Sequence, residues 1–145
     1  MKRIETVVQI GAAPEQVWRV LVDFAAYPAW SPRMSVVGRP ESGQRLRLTA
    51  AAPGEKGMRF RPRVLAAEPG RVLRWRGRLL LPGLCDGVHE FVLTPHAGGT
   101  RLVHAEDFSG LLVPFLGRAL AQTEQGMREQ NDALQQRVES QVAAA

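Results

Sequence analysis

Residues 86–95, DGVHEFVLTP, and 100–110, TRLVHAEDFSG, both alternate apolar and polar positions as half-buried strands do, with HAGG between them. A hairpin turning at Ala97 and Gly98 sets His89 opposite Glu106, Phe91 opposite His104 and Leu93 opposite Leu102, with Phe108 on the same face. A slip of one residue would send the whole set outward. The same alternation recurs in RIETVVQI at 3–10 and predicts strands at 34–38, 44–51, 57–67 and 71–80. The turn signals RPESG, APGEK, EPG and LPGLCDG separate them. Seven strands in all are expected. The EPG turn sets Val64 against Trp75 and Pro62 against Gly77, with Met58, Phe60, Leu73 and Leu79 on one face. Pro62 has no N–H to give a ladder, so a bulge or an edge is expected there.

The period changes to helical in two places. In PEQVWRVLVDF, Val17, Trp18, Leu21 and Phe24 make one apolar stripe, and Pro14 suits the first helical position. Ala13 is a poor cap, and Trp18 reads as core. The following FAAYPAWSP holds two prolines among aromatics, which predicts a short helical turn and then a loop bordering a pocket entrance. From Val113 to about Val142, Leu120, Met127 and Leu134 recur seven apart, flanked by Leu116, Thr123, Asn131 and Val138, and predict a long C-terminal helix. Thr123, Gln130 and Asn131 make that stripe a weak zipper, so the helix is expected to pack across the sheet. Gly126 in mid-helix costs about 1 kcal/mol relative to alanine, so it permits a close approach or leaves room for something.

The order β, helix, helical turn, six strands, long helix is an α+β layout of one domain, 1–145. A chain of 145 residues buries roughly two thirds of its unfolded surface. Apolar residues make up 45%, and no run of them is long enough to span a bilayer. Glu5 and Gln9 interrupt what a secretory signal would need, so cytoplasmic residence is expected. The single cysteine, Cys85, excludes an internal disulfide and reads as a small apolar loop residue, and no metal-ligand spacing is present. Lys plus Arg number 19 against 14 acidic residues, for a net charge of +5. Arg59, Arg61 and Arg63, then Arg74, Arg76 and Arg78, fall opposite the apolar positions of their strands and read as a basic outer sheet surface. That surface is a solvated face or a peripheral contact with an anionic membrane. No aromatic interleaves with it, which argues against nucleic acid.

These residues carry a family resemblance. Pro14, Val17, Trp18, Leu21 and Asp23, then Tyr27, Pro28 and Trp30, open the pattern. Gly87, His89, Phe91 and Leu93 in GVHEFVL follow, with Leu102, His104, Glu106, Phe108 and Gly110 in LVHAEDFSG. Gly126, Asn131 and Leu134 in GMREQNDAL complete it. The chain resembles the START-like SRPBCC superfamily, in its branch of polyketide cyclase/dehydrase and lipid transport proteins. The resemblance implies the helix-grip fold, a curved seven-stranded antiparallel sheet around the C-terminal helix, with an elongated cavity between them. The superfamily includes cyclases, hydrolases, lipid carriers and hormone receptors, so it does not choose a function.

An imidazole or carboxylate shut into an apolar space without a partner costs several kcal/mol. His89 and Glu106, facing across the ladder, can be each other's partner. Three readings stay open. The group is a structural cross-strand hydrogen bond; or His89, His104 and Glu106 orient the polar end of a hydrophobic ligand; or His89 and Glu106 form an acid–base pair for cyclisation or dehydration. The expected ligand wall is Trp30, Phe60, Trp75, Phe91, Phe108, Met127 and Asn131 with that trio. The expected partner is a hydrophobic small molecule (lipid, polyketide or aromatic metabolite) bound without a cofactor by a monomer or homodimer. No nucleophile elbow or phosphate-cradling glycine loop accompanies the pair.

Overall fold

The computed structural model describes residues 1–51, 56–79 and 81–145. The chain runs β1 (Lys2–Ile10), α1 (Pro14–Val22), a 3-10 helix (Phe24–Ala29), β2 (Met34–Val37), β3 (Arg47–Ala50) and β4 (Met58–Phe60). It continues with β5 (Arg63–Glu68), β6 (Val72–Leu79), β7 (Cys85–His96), β8 (Gly99–Ser109), a 3-10 turn (Val113–Phe115) and α2 (Gly117–Ala144). The APGEK turn lies, but for Lys56, outside the described residues, as does Leu80 at the end of the strand expected at 71–80.

Strand order in the main sheet is β1-β8-β7-β6-β5, every pairing antiparallel, and β2-β3-β4 form a second, smaller sheet. The strand expected at 57–67 is thus two strands, and among the described residues the arc holds eight rather than seven. Pro62 is the cause. The Leu46 N–H reaches the Pro62 carbonyl at 2.8 Å, but proline returns no N–H. The ladder therefore breaks between Phe60 and Arg63, although Leu48↔Phe60 below and Arg45↔Arg63 above keep one register. The two sheets are in this way joined edge to edge into a single grip.

The β7–β8 hairpin has the expected register: His89↔Glu106, Phe91↔His104 and Leu93↔Leu102. Its turn is built from Ala97 at φ 51° and Gly98 at φ 77°, the left-handed pair whose twist suits a two-residue hairpin. Val64 faces Trp75 as expected, but a bulge at Leu65 shifts the remaining β5–β6 pairs by one residue.

Helix α1 starts at Pro14 without a side-chain acceptor at Ala13; the Ala13 N–H instead donates to Gln16 Oε1 at 2.9 Å. Val17, Leu21, Phe24 and Tyr27 pack with Ile10, Phe91, Leu93, Leu102 and Leu134 into the main core, which fills the half of the grip nearer the hairpin turn. Trp18 is half-buried against that core. A second cluster of Ile4, Val113, Leu120 and Met127, backed by Phe108 and Leu116, lies at the other end. Helix α2 lies over β1 and α1 and turns Leu120, Met127, Gln130, Asn131, Leu134 and Val138 inward. Among the described residues, no helix is long and apolar enough to cross a membrane.

Arg59 on the small sheet, Arg61, and Arg63, Arg76 and Arg78 on the main sheet are exposed, with Arg63 paired to Arg76 across β5 and β6. Carboxylates meet part of this charge. Arg74 bonds Glu90 at 3.0 Å, and Arg78 approaches Asp86 at 3.6 Å. Arg3 bridges Glu5, Glu90 and Asp107, each at 2.9 Å. Carboxylates on β7 and β8 thus tie β1 to β6 across the convex face. Burial raises the Glu90 carboxyl, but Arg3 and Arg74 outweigh it and hold the group below its ordinary value.

Candidate functional site

The two core clusters leave a cavity of about 440 Å³ between them. Trp75 and Phe60 wall it on one side; Phe108, Leu116, Leu120 and Met127 close the other. It lies at the end of the hairpin remote from the turn, where α1 no longer reaches the sheet. Glycines lie along it from three elements: Gly77 of β6, Gly87 of β7 and Gly126 of α2. A Cβ added at Gly77 or Gly126 would meet nothing within 4 Å. Gly126 therefore leaves room and does not serve a close helix approach.

His89, His104 and Glu106 converge on this space, where the alternation placed them. Their hydrogen bonds form a directed chain. The Thr6 hydroxyl donates to the His104 carbonyl at 2.8 Å, which uses its one hydrogen. It must then accept from Asn131 Nδ2, also at 2.8 Å. That turns Asn131 Oδ1 toward His104 Nδ1 at 2.7 Å, so the hydrogen of the His104 ring sits on Nδ1. Burial pushes the His104 imidazole well below its ordinary value and the neighbouring His89 adds to this; the Asn131 bond and the Met127 backbone oppose it only in part. A neutral ring with its hydrogen on Nδ1 offers Nε2 as an acceptor. His89 Nε2, 2.5 Å away, is therefore the donor.

With His89 Nε2 so engaged, His89 Nδ1 faces Glu106 Oε2 at 3.3 Å. A hydrogen bond between these two atoms takes one proton, carried by one or the other. Aromatic faces hold both rings. Trp75 lies parallel to His89 with centroids 5.1 Å apart and 9° between planes, and Phe91 stacks on His104 at 4.2 Å. The second carboxyl oxygen, Glu106 Oε1, has no hydrogen-bond partner among the described residues. It leans over Gly87, where a Cβ would stand 2.7 Å from it.

Of the expected wall, Phe60, Trp75, His89, His104, Glu106, Phe108 and Met127 reach the cavity. Trp30, Phe91 and Asn131 do not. Trp30 lies half-buried edge-on to Tyr27 at 4.8 Å, with its indole N–H unpartnered, and the rim nearby comes from Arg33 and Met34 instead. Phe91 is two pairs nearer the turn than His89, inside the filled core. Asn131 is fully behind His104, supporting it. Cys85 is the first residue of β7 and lines the cavity; burial, then the charges of Glu106 and Asp86, push its thiol up, away from the thiolate form. Thr6 escaped the sequence reading, although its inward parity with Ile4 and Ile10 on the first strand was a signal. The rim carries Arg33, bound to Glu129 at 2.7 Å, with Lys56 and Arg78. Among the described residues, no three His, Cys, Asp or Glu side chains cluster as metal ligands do.

No curated protein matches the chain. Among solved structures, protein MLL2253 from Mesorhizobium loti is 27% identical, with 93% of this chain and 95% of that one covered and a TM-score of 0.73. A protein from Rhodobacter sphaeroides is 25% identical, with 95% and 92% covered and a TM-score of 0.75. The ZhuI aromatase/cyclase from Streptomyces sp. R1128 is 21% identical over 97% of this chain and 95% of its own, with a TM-score of 0.77, and shares the fold. The pattern that defines one family, described as polyketide cyclase / dehydrase and lipid transport, matches residues 1–139. The grip of two joined sheets around α2 is that family's fold, and the chain belongs to the polyketide cyclase/dehydrase and lipid transport family.

Proposed function

We propose that residues 1–145 act as one binding domain that holds a hydrophobic small molecule between the sheets and α2. The observation that carries this reading is the cavity of about 440 Å³, walled by aromatic and aliphatic side chains and supplied with one convergent polar group. Gly126 supports it, because a glycine in mid-helix costs stability and here faces open space. The apolar wall supplies affinity; the His89, His104 and Glu106 group supplies orientation. Native mass spectrometry of freshly isolated protein should reveal a bound small mass, or the protein should take up an apolar fluorescent probe saturably. Gly126→Phe should abolish that uptake while the fold persists. Absence of saturable uptake by the wild-type protein would end this reading.

The His89–Glu106 contact beside the cavity favours a second reading, dehydration of a bound β-hydroxy ketone. Glu106 would take a proton from the carbon next to the carbonyl and return it to the departing hydroxyl, so that water leaves and a double bond forms. Glu106→Gln should abolish turnover while binding persists. Unchanged turnover in that variant would exclude the pair as the acid–base group.

A further inference from the structure

We infer that the cavity selects an uncharged apolar ligand whose buried end carries a hydrogen-bond donor, such as a phenolic or enolic hydroxyl seated on Glu106 Oε1. By the same chemistry it turns away a ligand whose buried end is a carboxylate. This deepens the reading of the cavity as a ligand site and rests on it.

The direction of the hydrogen-bond chain carries the inference. Thr6 and Asn131 fix the hydrogen of His104 on Nδ1, and His89 must then donate from Nε2. A hydrogen bond between His89 Nδ1 and Glu106 Oε2 takes one further proton, on one atom or the other. If it rests on the histidine, Oε1 belongs to a carboxylate; if it rests on Oε2, Oε1 is the carbonyl oxygen of a carboxylic acid. Oε1 is an acceptor in both cases. Both imidazoles have spent both ring nitrogens, so neither has a hydrogen left for a ligand.

Gly87 keeps that acceptor accessible. A Cβ there would meet Oε1 at 2.7 Å and force the carboxyl aside. A buried ligand carboxylate would instead set acceptor oxygens against Oε1, an acceptor in both cases, and would lose its hydration without gaining a donor. Other charges near the cavity do not reverse this. Arg33 is bound to Glu129, Arg78 lies beside Asp86 at 3.6 Å, and Lys56 is exposed at the rim. Gln130 lines the cavity with its Oε1 taken by the Ser31 hydroxyl at 2.9 Å, and its amide is neutral.

The test uses three pyrenes of one ring size at pH 7: 1-hydroxypyrene, 1-methylpyrene and pyrene-1-carboxylate, titrated by fluorescence. The wild-type protein should bind hydroxypyrene at least about fivefold tighter than methylpyrene and at least about tenfold tighter than the carboxylate. Such ratios correspond to the ~1–1.4 kcal/mol of one hydrogen bond made or left unmade. Glu106→Gln should shrink the discrimination against the carboxylate at least about fivefold, since its amide supplies a donor where Glu106 Oε1 only accepts. A carboxylate that merely sits at the rim would not respond. Gly87→Ala pushes the Glu106 carboxyl aside, so it should cut the hydroxyl advantage about threefold and leave methylpyrene binding unchanged. The inference is overturned if the carboxylate binds the wild type as tightly as the hydroxyl compound, or if neither variant alters the ratios. If none of the three binds saturably, the reading of the cavity as a ligand site falls, and this inference falls with it.

Discussion

Gly126→Ala should make the protein more stable. The residue lies in the interior of the 28-residue helix α2, and a Cβ built there meets no atom within 4 Å. No steric cost therefore opposes the helix preference of alanine over glycine, worth about 0.8–1 kcal/mol. At ~2.1 cal/mol/K of unfolding entropy per residue, a chain of 145 residues converts that gain to a rise of about 2–3 °C in Tm. Thermal unfolding followed by circular dichroism reads the change directly. Gly99→Ala is the contrasting case: its Cβ would stand 2.3 Å from the Ile10 carbonyl oxygen, which is backbone and cannot move aside, so this variant should lose stability. A drop in Tm for Gly126→Ala would show that the helix needs its glycine for packing. The argument that Gly126 holds space open for a guest would then be refuted.

Acid should unfold the protein partly through His104. Its imidazole stays neutral in the fold and takes up a proton once released, so stability falls as pH drops below the ordinary value of about 6.5. The limiting slope is about 1.4 kcal/mol per pH unit, and denaturant titrations of the wild type and His104→Gln should differ in slope below pH 6.5. In 15N spectra the His104 ring should show one hydrogen, on Nδ1, from pH 7 down to pH 5.5; a cationic ring in that range would contradict the chain of donors. Glu90 acts further down. Arg3 and Arg74 hold its carboxyl below the ordinary range, so its stabilising effect is present above about pH 4.5 and lost as pH falls through the lowered value, and Glu90→Gln should flatten the acid limb there. Thr6→Val preserves shape but leaves Asn131 Nδ2 and the His104 carbonyl without their hydroxyl, and should cost about 1–3 kcal/mol in chemical denaturation.

The hairpin register was legible because two local signals agree, a left-handed Ala97–Gly98 turn and strict alternation on both arms. The interruption at Pro62 was legible for the same reason: a missing N–H is a property of the residue itself. The empty half of the grip was not. Phe91 and Phe108 have the same inward parity, yet one is core and the other faces the cavity, because α1 covers only the end near the turn. Trp30 failed similarly, since a loop aromatic carries no periodicity to say which way it turns. The arginines of the convex face needed Glu90 and Asp107, whose partners come from β1 and β6, strands remote in sequence. Thr6 needed the pairing of the first strand with the eighth.

The polar chain has its origin at opposite ends of the polypeptide: Thr6 on β1 and Asn131 on α2 are 125 positions apart. The hairpin between them is largely local and can form early, but its two imidazoles acquire a fixed polarity only after the last helix has docked against the first strand. A folding intermediate holding the hairpin alone would have His89 and Glu106 side by side with neither orientation nor cavity. The fixed direction of the chain therefore depends on α2 lying against β1, and is lost when α2 detaches.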